Sequence, residues 1–149
     1  MSDTYLRLIP SDPDYRPTQD AAEAGVRLLK GFFPRAEGVK TQAEEGVVFF
    51  DAGENTESVA CPACGVDLMD WWGDAMDAAH AKEFRDLSVV TPCCAKRTSL
   101  NDLVYVWPAA FGSVALEVAN PGVSSIAEAQ RAAVEQVLGC PVKVVWQRI

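Results

Sequence analysis

Four of the five cysteines in this 149-residue sequence fall into two close sets, Cys61-Pro62-Ala63-Cys64-Gly65 and Thr91-Pro92-Cys93-Cys94-Ala95. Thiols so spaced bind metals or exchange disulfides. Two thiolates three positions apart in a tight turn can both reach one ion at about 2.3 Å, with backbone N–H groups of the turn directed at the sulfurs. Gly65 permits a close backbone approach or a positive φ. Pro62 limits the freedom of the turn before metal arrives. The second set is an imperfect copy. Pro92 and Cys94 match, Thr91 stands where the other ligand would be, and Ala95 replaces the glycine. Cys93 must then supply the fourth thiolate from the position next to Cys94.

Cys61-Pro62-Ala63-Cys64-Gly65 resembles the zinc knuckle of zinc-ribbon and treble-clef proteins. The expected ligand set is Cys61, Cys64, Cys93 and Cys94 on one zinc ion. His80 is the competing fourth ligand. A helix from Val66 to His80 would be about 21 Å long at about 1.5 Å per residue, which carries His80 away from Cys64. Four thiolates on Zn²⁺ leave a formal charge of about −2 by ligand count. Lys96 and Arg97 follow at once and could offset it by donating to sulfur. They could instead form a small anion or nucleic-acid site, although two basic residues are a weak footprint. A closed shell of four cysteines has no open position for catalysis, so its role is to hold the chain together.

The rival chemistry is redox. Cys61 and Cys64 follow Ser58-Val59-Ala60 and precede a helix, where a thiolate is stabilised. Thr91-Pro92 resembles the proline loop of thioredoxin-like proteins. Zinc, however, accounts for all four thiols at once.

The elements that position these residues read as follows. Tyr5 to Ile9 is a strand, and Ser11-Asp12-Pro13-Asp14 a turn. Thr18 caps a helix whose apolar stripe is Ala22, Val26, Leu29 and Phe33, stopped by Gly31 and Pro34. Val39–Ala43 and Val47–Phe50 read as two strands joined by a tight turn at Glu44-Glu45-Gly46. A helix is expected from about Val66 to Phe84. Ser113–Val118 is a strand. Ser125 with Glu128 reads as a capping box for a third helix, ended by Gly139 and Pro141. Val142–Ile149 is the last strand.

Tyr5–Phe50 and Ser113–Ile149 thus share one order: strand, turn, helix, Gly, Pro, strand. Two such halves interleave into a ferredoxin-like split βαβ sheet with both helices on one face. The expected organisation is a single α+β domain, 1–149, with residues 52–110 as a zinc-binding insertion.

The net charge of −8, from 13 basic and 21 acidic residues, argues against nucleic acid as a partner. Met1–Ile9 lacks the basic-then-apolar pattern of a signal peptide, and no apolar run is long enough to span a membrane. The expected location is the cytoplasm. Asp67, Asp70, Asp74 and Asp77 fall on one face of the middle helix. That face is either simply solvated or docks a basic protein partner. Trp71, Trp72, Tyr105, Trp107 and Phe111 are expected to seal the insertion against the sheet. Cys140 reads as a small buried hydrophobe. A single histidine makes a nucleophile–base site a poor fit. Ser99-Leu100-Asn101-Asp102-Leu103, Trp107-Pro108 and Phe111 resemble uncharacterised bacterial proteins carrying a similar cysteine pair, a resemblance that implies no activity. The function expected is that of a non-catalytic protein with a structural zinc site, acting through protein contacts.

Overall fold

The computed structural model describes residues 2–149. Alternating side chains form β1 (Thr4–Pro10), which buries Leu6 and Leu8 completely on one face. Helix α1 (Gln19–Phe32) starts where the Thr18 hydroxyl accepts the Ala21 N–H at 3.1 Å. Gly31 lies inside the helix rather than ending it. The last turn closes with Phe33 N–H on the Leu29 carbonyl, and Pro34 then forbids another.

The expected pair of strands after α1 is one strand, β2 (Gly38–Phe50). Both of its parts pair with the same neighbour, Ala43 opposite Val114 and Val48 opposite Gly112. Glu44–Val47 is therefore an irregularity within one strand and not a hairpin turn, because a hairpin would pair the two parts with each other. Short elements follow: β3 (Ser58–Ala60), α2 (Met69–Ala81), β4 (Ser88–Val90), β5 (Arg97–Ser99), a single 3₁₀ turn (Leu100–Asp102) and β6 (Val104–Val106). The helix is shorter than expected at both ends. The Asp67 carboxylate accepts the Met69 N–H at 2.8 Å before the first turn, and positive φ at Glu83 and Phe84 breaks the chain away after Ala81.

The chain closes with β7 (Ala110–Ala119), α3 (Glu128–Leu138) and β8 (Val142–Arg148). Ser125 does not cap α3. Gln130 reaches back to accept the Ala127 N–H at 3.0 Å, while Glu128 pairs with Arg131.

Strands β2, β7, β1 and β8 lie side by side in that order, each antiparallel to its neighbours. Helices α1 and α3 therefore each connect two parallel strands with one strand between them. Leu6, Leu8, Leu116 and Val118 meet Leu29 of α1 and Val134 and Leu138 of α3 in one core. Gly25 lets α1 come close: a Cβ there would stand 2.5 Å from Leu116 Cδ1. On the opposite face Ile9, Phe50, Ala115 and Val145 form a smaller cluster. Beside it the Arg7 guanidinium donates twice to Glu117 Oε1, at 2.8 and 3.2 Å, and once to Gln147 at 2.6 Å.

The elements between β2 and β7 build a separate core of Val59, Leu68, Leu100, Leu103 and Tyr105, to which the strands contribute Phe49 and Phe111. Asn101 fastens this part to the sheet side. Its side chain donates to the Ser11 carbonyl at 3.0 Å and accepts the Phe111 N–H at 2.9 Å. Lys143 of β8 donates to its carbonyl.

Arg7 and Glu117 are 11% and 9% exposed, so removing Glu117 leaves the Arg7 guanidinium buried with no carboxylate partner. Glu117→Ala is expected to lower the unfolding free energy by about 3 kcal/mol. Lys40→Ala, at a side chain 68% exposed and 3.6 Å from the same carboxylate, should stay within about 0.5 kcal/mol. Urea unfolding followed by tryptophan fluorescence checks both.

Candidate metal centre

Cys61 leaves β3, which pairs with β6, and Thr91 leaves β4, which pairs with β5. The turns that follow are built alike. In the first, Cys61 N–H donates to the Val66 carbonyl and Gly65 N–H to the Cys61 carbonyl, each at 2.9 Å. In the second, Thr91 N–H donates to the Lys96 carbonyl and Ala95 N–H to the Thr91 carbonyl, also at 2.9 Å. Both turns need a left-handed residue at the same place. Gly65 has φ +77°, and Ala95 is held at φ +54° despite its Cβ. Residue by residue, Thr91 occupies the place of Cys61, and Cys94 that of Cys64.

This arrangement brings all four cysteines together, with their sulfurs within 4.8 Å of one another. Cys61 Sγ lies 3.8 Å from Cys94 Sγ, Cys64 Sγ lies 3.3 Å from Cys93 Sγ, and Cys93 Sγ lies 3.8 Å from Cys94 Sγ. Four thiolates placed tetrahedrally at about 2.3 Å from an ion have sulfur–sulfur edges of about 3.8 Å. The donor set therefore fits one tetrahedral ion of the thiolate-binding kind. No disulfide joins any pair.

The electrostatics of the thiols agree with such a use. The Cys61 thiol is drawn down to about 6, chiefly by the backbone N–H of Cys64 and further by that of Ala63, 3.4 Å from the sulfur, against the opposing effect of its burial. The Cys93 thiol is pushed up to about 12, first by loss of water and then by hydrogen bonds with Cys64 and Cys61. One sulfur in the group ionises readily, and another resists ionising beside it. A cation at the centre reverses that resistance.

Cys61 is buried, whereas Cys64 and Cys93 face solvent. His80 stands apart from the sulfurs. It is exposed on the last turn of α2, its ring 5.5 Å from that of Phe84. Lys96 and Arg97 are exposed, and among the described residues neither side chain donates to sulfur. It is the backbone N–H of Lys96 that is engaged, on Thr91 Oγ1 at 3.1 Å. Asp67, Asp70, Asp74 and Asp77 are all exposed. Cys140 is only half-buried.

Thr91 stands, as the spacing predicts, in the place of a ligand, and the structure adds what its hydroxyl does there. It is 1% exposed, and its hydroxyl lies 3.5 Å from Cys94 Sγ. Its signal was the copied turn pattern, in which a threonine replaces a cysteine and keeps the hydrogen-bonding site. No protein-family model matches the chain, and neither does any curated protein or solved structure.

Cys93→Ser should weaken metal binding at least tenfold, by loss of one thiolate of four. The double variant Thr91→Cys/Cys93→Ser should recover it, since position 91 repeats the place of Cys61. Affinity should fall from pH 7.5 to pH 5.5, because protons compete for sulfur. Competition titration with a chromogenic chelator measures all three. Ala95→Gly relieves the left-handed alanine and should stabilise the metal-loaded protein by about 0.5–1 kcal/mol in thermal unfolding.

Proposed function

We propose that Cys61, Cys64, Cys93 and Cys94 hold one structural zinc ion, and that this protein is a non-catalytic, zinc-stabilised module acting through protein contacts in the cytoplasm. The observation that carries the reading is the set of four sulfurs within 4.8 Å of one another. Its spacing suits a closed tetrahedral shell, which leaves no position for a reacting water. Reducing conditions suit free thiols of this kind.

The scaffold is best described as ferredoxin-like. The order β2-β7-β1-β8, with α1 and α3 each linking alternate strands, supports that name and supports treating residues 52–110 as an insertion. Within the insertion Val66, Met69, Val90, Val104, Val106 and Trp107 are large apolar residues left exposed. They supply a surface for a partner, and the exposed carboxylates of Asp67, Asp70, Asp74 and Asp77 favour a basic one.

A second reading, thiol–disulfide exchange, is favoured by the lowered Cys61 thiol and by the 3.3 Å between Cys64 Sγ and Cys93 Sγ. Elemental analysis of protein purified under reducing conditions separates the two. The zinc reading expects one equivalent per chain. It also expects that a strong chelator removes amide-exchange protection from β3, α2 and β6 while β1 and β7 keep theirs. Metal-free protein that is fully protected and reduces an added disulfide would establish exchange instead.

A further inference from the structure

Where β2 ends and β6 and α2 meet, a hollow of about 390 Å³ opens to the surface. Phe49, Trp72, Tyr105 and Trp107 line it, together with the carboxylate-bearing residue Asp51. The hollow uses no cysteine.

Three of the rings pack on one another at tilted angles, with Trp107 beside them in the lining. Phe49 and Trp72 have centroids 5.8 Å apart at 58°, Phe49 and Tyr105 5.8 Å apart at 48°, and Trp72 and Tyr105 6.1 Å apart at 74°. Their polar tips are tied down. Trp72 Nε1 donates to the Tyr105 hydroxyl at 3.3 Å, and that hydroxyl donates to the Leu100 carbonyl at 2.6 Å. Trp107 is 41% exposed, which places it at the mouth. Asp51 is held in turn: its Oδ1 accepts the Gly53 N–H at 2.8 Å and Gln147 Nε2 at 2.9 Å. Among the described residues no hydrogen bond reaches its Oδ2.

This lining selects a ligand class. A neutral apolar ligand would satisfy the rings but add no partner for Asp51 Oδ2. An anion would meet both the carboxylate and the negative ring faces. A small, strongly hydrated cation would leave most of the space unfilled. An alkylated ammonium suits the rings and the carboxylate together: its methyl groups would lie against the rings, and its charge would be attracted by the ring quadrupoles and by Asp51. The volume lies at the lower end of the range of small-molecule sites, about 300–1,000 Å³.

We propose that the hollow lined by Phe49, Asp51, Trp72, Tyr105 and Trp107 binds an alkylated ammonium group of the trimethylammonium kind. Such a group occurs on free choline-like molecules and on trimethylated lysine side chains. The two sources present the same head to the site.

The test is calorimetric titration of the protein as purified, in low salt, with choline, with a short trimethyllysine peptide and with 3,3-dimethylbutanol, the neutral isostere of choline. At least one ammonium probe is expected to bind, with the isostere about tenfold weaker or worse. Tighter binding of the peptide assigns the source to a protein side chain, and tighter binding of choline to a free molecule. Trp107→Ala and Asp51→Asn should each weaken the ammonium probe about tenfold. Trp107 is exposed, so its variant should keep the circular dichroism spectrum and thermal midpoint of the parent. Isostere binding as tight as choline, or no binding of either ammonium probe to folded protein, overturns the proposal.

Discussion

Four sulfurs lie within 4.8 Å of one another, and the short elements in the middle of this chain are arranged around that meeting point. The strands that carry the two turns are three residues long, as are the strands they pair with. Two-stranded pairs of that size do not persist in water on their own. Helix α2 contributes one buried residue, Ala79, to the local core. Cys61 and Cys64, which follow β3, converge with Cys93 and Cys94, which follow β4. Without a cation that convergence is costly, because each thiolate raises the cost of the next. With one it becomes favourable, and metal-binding energy becomes folding energy.

The sheet supplies the other anchor. β2 and β7 are its longest strands, and each extends past the helix-covered core to place one aromatic ring, Phe49 or Phe111, in the second core. These two rings pack together with centroids 4.7 Å apart. Asn101 adds polar ties to Ser11, Phe111 and Lys143, so one buried side chain and its carbonyl reach three separate elements. The middle segment is therefore tied to the sheet at its root by aromatic packing and Asn101, while its four sulfurs gather at its far end. The aromatic hollow lies at that root, where Tyr105 and Trp72 are locked by hydrogen bonds. Burial pushes the Tyr105 phenol up to about 12, so the ring stays neutral at ordinary pH.

Local chemistry made much of this legible in advance. Thr18 and Pro34 bound α1 because one side chain can cap and the other cannot donate. The repeated order of strand, helix and strand is visible because each piece carries its own period. The two cysteine turns are visible because ligand spacing is short-range and tied to residue type. The errors fall where the deciding partner is far away in sequence. Glu44-Glu45-Gly46 has the composition of a turn, yet β7 pairs with both sides of it and keeps the strand continuous. Ser125 and Glu128 have the spacing of a capping box, but Arg131 takes the glutamate.

By itself, then, the sequence determined the thiol pairs, the helix stripes and the strand alternation, since each depends on neighbours a few residues away. Tertiary structure decided that the sulfurs converge, that the Thr91 hydroxyl is buried against Cys94 Sγ, and that Phe49, Asp51, Trp72, Tyr105 and Trp107 line one space. Those outcomes depend on which strands pair and in what register. Pairing is chosen by the burial of whole faces, and no short window of residues contains that information.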